Sequence, residues 1–225
     1  MAMAIFDEFA SDYDAWYTDK KGSFVDKVET DLAFKMIQIK KGMKILDAGC
    51  GTGNFSVKLA SMGCDVTGID ISDNMLSIAR KKSSEQKLDI EFINMDVTKL
   101  SFEDNEFDAV LSMTAFEFVE DAPQALEELL RVVKKDGTVL IGTITSNSKW
   151  GELYLSEPYR ENSVFKHAKL RTADEIKNWN ENKLQDIGEC LFVPPHANGE
   201  DFTYENENKL SKISRGGFVC AVWKK

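Results

Sequence analysis

The residues whose types and spacing could do chemistry are three glycines and an aspartate that follow a short apolar pair. Ile45-Leu46 has the character of a buried parallel strand, and the acid Asp47 comes directly after it. Gly49, Gly51 and Gly53 then occupy alternate positions; lacking a Cβ, they permit a sharp turn that a ligand can approach closely. The Gly-x-Gly-x-Gly spacing is typical of a nucleotide-type binding turn, although it differs from the Gly-x-Gly-x-x-Gly of dinucleotide folds. The pattern also fits a tight turn with only a structural role.

Two further acids end later stretches of strand character. Asp70 closes the stretch 65–70, roughly 20 residues after the glycines, where α/β nucleotide folds place the acid that binds ribose hydroxyls. Asp96 closes the stretch 90–96. Because the carboxyl ends of parallel strands line one crevice, we expect Asp47, Asp70 and Asp96 to converge there. Asn54 is predicted to cap the helix after the turn, so that backbone N–H groups face the ligand.

In this order, the motifs resemble those of class I S-adenosylmethionine-dependent methyltransferases. The matching segments are LDAGCGTG (46–53), GIDIS (68–72), NMDV (94–97) and FDAVLS (107–112), and the resemblance is strong over residues 10 to 145. The segment YDAWY (13–17) also looks like one near the start of many small-molecule methyltransferases, including those of ubiquinone and menaquinone biosynthesis. The resemblance implies S-adenosylmethionine as cofactor and S-adenosylhomocysteine as its product.

The resemblance also implies roles for individual residues. It places Ile71 against the adenine, lets the Asp96 carboxylate accept from the adenine amino group, and lets the Val97 N–H donate to a ring nitrogen. It places the segment of Tyr13 and Tyr17 near the cofactor. The complete predicted set is Asp47, Gly49, Cys50, Gly51, Gly53, Asn54, Asp70, Ile71, Asp96, Val97, Ser112, Tyr13 and Tyr17.

The elements that must position these residues read as an α/β fold, doubly wound. The resemblance adds a Rossmann-like, seven-stranded, mostly parallel sheet whose last strand is antiparallel. We expect a single domain over 1–225, with an N-terminal lid and helix in 1–40 and a substrate cap in 146–171, after the fifth strand. The aromatic residues between 4 and 18 fit either a core-facing helix or a lid across the crevice.

Several element boundaries are predicted from local signals. Gly22 is expected to interrupt the N-terminal helical pattern, and Lys134–Gly137 to form a turn before the fifth strand at 138–144. A sixth strand is expected at 187–193, and the polar stretch 196–216 is expected to be a loop.

Composition restricts the partners. The formal net charge of −10 over 225 residues argues against a nucleic-acid partner, since binding to phosphates depends on clustered Lys and Arg. The four cysteines show no Cys-x-x-Cys pair or nearby histidines, so we interpret them as reduced, mostly buried thiols and expect no metal. No apolar run has membrane-spanning length, and Asp7 and Glu8 stand where a signal peptide would be basic. We therefore expect a cytoplasmic monomer or homodimer with no membrane partner.

The expected activity is methyl transfer to a small-molecule acceptor. After the fourth strand, the chain lacks the Asn/Asp-Pro-Pro-aromatic motif common in methyltransferases that act on amines of nucleic-acid bases or on protein glutamine. An RNA or protein methyltransferase and a non-catalytic S-adenosylmethionine-binding protein remain alternatives. A dinucleotide dehydrogenase is disfavoured by the glycine spacing alone.

Methyl transfer from a sulfonium is an in-line displacement, in which orientation can supply on the order of 7–11 kcal/mol. A general base is needed only where the acceptor must lose a proton that water cannot easily take. The candidates are His167, Tyr154, Tyr17 and Glu117. A carbon, sulfur or amine acceptor could react without any of them.

Overall fold

The structure is a computed structural model that describes residues 5–7 and 9–225. The described residues form one seven-stranded sheet in the order β3-β2-β1-β4-β5-β7-β6. The strands are parallel except β7, which runs antiparallel to both β5 and β6. The predicted seven-stranded, mostly parallel sheet with an antiparallel last strand is therefore confirmed. The strand bounds are β1 Lys44–Ala48, β2 Asp65–Asp70, β3 Ile90–Asn94, β4 Phe107–Met113, β5 Val133–Ile144, β6 Leu184–Cys190 and β7 Phe218–Lys224.

Helices cover both faces of the sheet. Alternate strand residues point to opposite faces, so Ile45 packs into one hydrophobic cluster with α2 and α3, whereas Leu46 packs into another with α5 and α8. The helix bounds are α1 Ala10–Tyr13, α2 Lys20–Met36, α3 Asn54–Ser61, α4 Asp73–Glu85, α5 Ala122–Val132, α6 Lys149–Leu155, α7 Glu157–Glu161, α8 Ala173–Lys177 and α9 Tyr204–Leu210. None of the helices within the described ranges has both the length and the apolar character needed to cross a bilayer.

The predicted interruption at Gly22 is wrong, because this residue lies inside the first turn of α2. The Gly22 N–H donates to the Asp19 carboxylate, which caps the helix. A Cβ on Gly22 would lie 1.8 Å from the carbonyl oxygen of Trp16. The glycine therefore lets the preceding 3-10 turn, Asp14–Thr18, pack tightly against the start of the helix.

The strands near the C-terminus also differ from the prediction. β5 begins at Val133 instead of 138 and absorbs the expected turn, with Asp136 in the left-handed region at φ 66°. β6 covers Leu184–Cys190, three residues earlier than predicted. The polar stretch 196–216 contains α9, whose Glu207 carboxylate is buried and accepts from two backbone N–H groups. An interior carboxylate hides the apolar face by which such a helix is recognised in a sequence.

The segment 146–171, predicted as a substrate cap, consists largely of short helices. It contains α6, α7 and a 3-10 turn at Val164–His167. Trp150 and Tyr154 of this segment are buried in the core.

The topology creates a crevice beside β1. From β1 the sheet continues through β2 and β3 on one side, and through β4 and β5 on the other. Ligands of open α/β sheets bind outside the carboxyl ends of the strands at such a switch point.

Candidate active site

A cavity of about 1100 Å³ opens at the carboxyl ends of β1, β2 and β4. Its lining includes Asp47, Asp70 and Asp96, so the predicted convergence of the three acids is confirmed. The volume lies slightly above the usual range of ligand pockets, roughly 300–1,000 Å³. One cavity can thus hold a cofactor and a second molecule together.

The glycine turn forms one wall of this cavity. The N–H groups of Gly49 and Cys50 both donate to the Ile69 carbonyl oxygen at 2.8 Å, which fixes the turn against β2. Gly51 has φ +52°, and a Cβ there would meet no atom within 4 Å. Gly51 therefore presents bare backbone towards the open cavity, as the close approach of a ligand requires.

Two members of the predicted set differ from their expected positions. Gly53 is not part of the cavity lining, because it packs on α4, where a Cβ would lie 3.0 Å from that of Ala79. Asn54 lines the cavity, but it is the first residue of α3 and not its cap. Its side chain instead accepts from Lys82 and donates to Asp14.

The carboxylate of Asp47 is almost completely withdrawn from solvent, with 1% of the residue exposed. The Ser56 hydroxyl donates to its Oδ2 at 2.6 Å. Burial raises the pKa of Asp47 from its ordinary value of 3.8 to about 6, the hydrogen bonds from Ser56 oppose the change, and the charge of Asp70 adds to it. The cavity wall therefore carries a carboxylate whose charged form a cationic ligand would stabilise.

Both carboxylate oxygens of Asp70 accept a backbone hydrogen bond. The Gly51 N–H donates to Oδ2 and the Ser72 N–H donates to Oδ1, each at 2.9 Å. Burial raises its pKa, and these bonds oppose the rise. Asp96 accepts from the backbone and hydroxyl of Thr98 through Oδ1. Each carboxylate oxygen has two lone pairs, so both acids retain acceptor capacity towards the cavity.

Apolar side chains separate these two acids. Ile71, Met75, Met95 and Val97 line the cavity in this region. A flat apolar base with a hydroxylated sugar fits such a lining, since the carboxylates accept from polar groups and the side chains cover ring faces. The residues present therefore fit the adenosine part of the predicted cofactor.

Ser112 and Cys50 both line the cavity, but their polar atoms bond to the protein. The Ser112 hydroxyl donates to the Ala48 carbonyl oxygen at 2.6 Å and joins the ends of β4 and β1. The Cys50 thiol lies 3.8 Å from the Gly51 carbonyl oxygen, and burial raises the pKa of this thiol. These side chains shape the wall.

The N-terminal segment is joined to the glycine turn by Asp14. Its carboxylate accepts from the Thr52 hydroxyl at 2.8 Å and from the Asn54 amide at 3.2 Å, and it pairs with Lys82 of α4 at 2.9 Å. Tyr13 and Tyr17, on either side, line the cavity. The sequence identified this segment without assigning a partner to Asp14.

The four candidate bases occupy different environments. Tyr154 is not in the cavity lining; it stacks on Phe165 in the core at a centroid distance of 4.2 Å. His167 lines the cavity but is exposed to solvent. Tyr17 and Glu117 also line it, and Glu117 is 1% exposed.

A second buried acid, Glu29 of α2, was not predicted from the sequence; it lines the cavity and is 7% exposed. It stands four residues after Val25, on the apolar stripe that packs α2 onto the sheet. An acidic residue on an otherwise apolar helix face was the sequence signal that could have identified Glu29 as a site residue. No group of three or more His, Cys, Asp or Glu within the described part of the chain is placed to hold a metal ion.

Comparisons with known proteins agree with this geometry. Residues 46–141 match the family model described as a methyltransferase domain. An uncharacterised protein of Methanocaldococcus jannaschii is 33% identical over 178 residues, which cover 77% of each chain. A demethylmenaquinone methyltransferase of Staphylococcus aureus is 38% identical over 118 residues, which span 51% of this chain and about half, 48%, of that enzyme.

A solved structure shares the fold over the whole chain. It is an S-adenosylmethionine-dependent methyltransferase of Thermotoga maritima, described as a possible histamine N-methyltransferase. The TM-score is 0.73 with 24% identity, and the match covers 100% of both chains.

Proposed function

The chain belongs to the S-adenosylmethionine-dependent methyltransferase family, and we propose that it transfers a methyl group to a small-molecule acceptor. The observation that carries the proposal is the single cavity: the glycine turn and three acids line one part, and aromatic side chains line another. A cofactor and a compact acceptor can meet there without solvent between them.

We assign the cofactor contacts to the residues that line the cavity. Asp70 binds the ribose hydroxyls, Asp96 and Val97 bind the adenine edge, and Ile71 covers a ring face. The bare backbone at Gly51 permits close approach of the rest of the cofactor. When bound, S-adenosylmethionine supplies an electrophilic methyl group on a cationic sulfur.

The protein contributes charge and orientation. A buried, unpaired charge on Asp47 costs the folded protein free energy, so a cationic ligand is favoured beside it. Tyr13 and Tyr17 close the cavity from the N-terminal side and limit the access of water. Holding the acceptor in line with the methyl group can account for much of the acceleration.

A small acceptor is supported by two features of the chain. The Asp14 contacts hold the N-terminal segment against both the glycine turn and α4, which narrows the entrance for a polymer. The net charge of −10 opposes binding to a phosphate backbone. The demethylmenaquinone methyltransferase among the relatives is named for a small-molecule substrate.

The test is incubation of the protein with methyl-labelled S-adenosylmethionine and a whole-cell extract separated into small-molecule, RNA and protein fractions. We expect label in the small-molecule fraction. Label in RNA or protein alone would contradict the proposed acceptor. Calorimetric binding of the cofactor without label in any fraction would indicate a non-catalytic binding protein.

A further inference from the structure

We propose that the methyl acceptor is an amine that binds as an ammonium cation beside the buried carboxyl groups of Glu117 and Glu29. The inference rests on the proposed function and specifies its acceptor. It is carried by the polar groups and aromatic rings that line the cavity next to the N-terminal segment.

Glu117 has an unused hydrogen-bonding oxygen. Its Oε1 accepts from the Ile144 N–H at 2.7 Å, which fixes the carboxyl at the end of β5. Its Oε2 is fully buried and accepts no hydrogen bond of normal length and angle from the described residues. The nearby Thr143 hydroxyl acts to lower the pKa of the Glu117 carboxyl, against the larger rise that burial causes. A buried acceptor left in this way is unfavourable unless a ligand donates to it.

Glu29 places a second acid in the same region from a different element. Burial raises the pKa of both carboxyls, and the charge of Glu117 further raises that of Glu29. Tyr13 lines the same cavity as the two acids, and burial, with the charges of both acids added, raises the pKa of its hydroxyl. Two like charges in one buried region favour a cation beside them.

The nearby cations are already engaged elsewhere. Lys58 bonds to Asp26 and Thr30, and the Arg171 guanidinium donates to backbone carbonyls, including that of Phe116 at 2.7 Å. Among the described residues that line the cavity, eight are Asp or Glu and one, Lys169, carries a permanent positive charge. Lys169 is exposed, so the buried acids are not neutralised by it.

Aromatic rings complete the environment of a cation. Phe6 packs edge-on against Tyr13 and Phe118, with ring-centroid distances of 6.2 and 4.7 Å. The rings of Tyr13 and Tyr17 lie 5.9 Å apart between centroids. All four residues line the cavity. Ring faces attract ammonium groups, and more strongly where water is excluded. An anionic acceptor would meet repulsion here, and a neutral one would leave the charge of Glu117 uncompensated.

The chemistry is consistent with this arrangement. The ammonium gives one N–H proton to Oε2 of Glu117, and the nitrogen then forms a C–N bond to the methyl carbon while the C–S bond breaks and its electron pair stays on sulfur. The products are a methylated ammonium ion and a neutral thioether. The proton held by Glu117 passes to solvent as the products leave. Burial raises the pKa of Glu117, which makes its carboxylate a stronger base than an exposed one and suits it to accept a proton.

The test is calorimetric titration of the protein, loaded with S-adenosylhomocysteine, with 2-phenylethylamine and with 2-phenylethanol. These probes share a skeleton, and only the amine is charged at pH 7. We expect the amine to bind more tightly, and Glu117→Gln and Glu29→Gln each to weaken its binding about tenfold or more while leaving the alcohol unaffected. Glu120→Gln removes the same charge from an exposed position on the cavity rim and is expected to change amine binding by less than about twofold.

Equal affinity for the two probes in the unsubstituted protein would overturn the inference. So would amine binding that neither buried substitution changes. A second measurement is the charge of the labelled product from the cell extract, which we expect to be cationic at pH 7. A neutral or anionic product overturns the amine acceptor and leaves the small-molecule methyltransferase intact, whereas failure to bind S-adenosylhomocysteine contradicts the proposed function itself.

Discussion

Replacing Asp47 with asparagine should stabilise the unliganded protein, and the gain should grow as the pH rises. The folded protein holds the Asp47 proton more tightly than the unfolded chain does, since burial raises the pKa from 3.8 to about 6. Protonation therefore stabilises the fold at low pH, and this stabilisation is lost as the pH rises through about 6. The asparagine side chain would avoid the buried charge and retain an oxygen for the Ser56 hydroxyl.

The size of the effect follows from the two pKa values. The charged carboxylate costs the folded state about 1.6 kcal/mol at pH 5 and about 3 kcal/mol at pH 8. The difference between Asp47→Asn and the unsubstituted protein should thus grow by about 1.4 kcal/mol across this interval. Any penalty for an unpaired asparagine amide is independent of pH, so it cancels in this comparison.

The measurement is urea unfolding of both proteins at pH 5 and pH 8, without cofactor. Asp89→Asn is the matched control, because Asp89 is exposed and its substitution should leave the pH dependence unchanged. A difference in free energy of unfolding that is the same at the two pH values would refute the reasoning. It would mean that the Asp47 carboxylate is not penalised by burial.

Three further predictions concern the cofactor part of the cavity. Gly51→Val has room for its side chain, because a Cβ there meets no atom within 4 Å, although the φ of +52° strains a β-branched residue. It should lose more than about tenfold in calorimetric affinity for S-adenosylhomocysteine, since the side chain enters the cavity. Asp70→Asn should weaken the same affinity by about 1.5–3 kcal/mol, because it removes a charged acceptor of the ribose hydroxyls. Asp14→Asn should release S-adenosylhomocysteine several-fold faster in stopped-flow measurements, because it removes the ion pair with Lys82 and loosens the N-terminal segment.

Each of these results has an opposing outcome. Full affinity in the Gly51 variant would make the turn merely structural. An unchanged dissociation constant in the Asp70 variant would mean that the adenosine lies elsewhere; asparagine is preferred to alanine here because it can still accept from a backbone N–H. An unaltered release rate in the Asp14 variant would show that the N-terminal segment does not control release.

The sequence alone was sufficient for the first strands of the sheet and for the acids at their ends. The stretch from Lys44 to Gly53 predicted a strand followed by a tight turn, and Asp47, Asp70 and Asp96 were expected to meet because they end parallel strands. These are local patterns: apolar strand residues, closely spaced glycines and terminal acids are all visible within a few positions of the sequence. In the structure the three glycines have positive φ, as such a turn requires. Fold-level rules then bring the strand ends together.

Local patterns failed where a contact made in the folded chain decides the outcome. Gly22 lies in the first turn of α2, which Asp19 caps, and the Trp16 carbonyl leaves no room for a Cβ there. The helix α9 forms around a carboxylate that binds the backbone after β6. Tyr154 has the chemistry of a general base, but Phe165 and the core enclose it away from the cavity. These contacts form only in the folded chain, so the residue types alone did not identify the partners.

The sequence by itself determined the cofactor end of the cavity, from the glycine turn to the acids at the ends of β1 and β2 and just after β3. Only the tertiary structure decided the other end of the cavity, because α2 brings Glu29 to a region that Glu117 enters from the segment after β4. Whether an acid is solvated or buried without a partner depends on which elements cover it. Burial sets the protonation of such groups, so their chemistry follows from the packing around them.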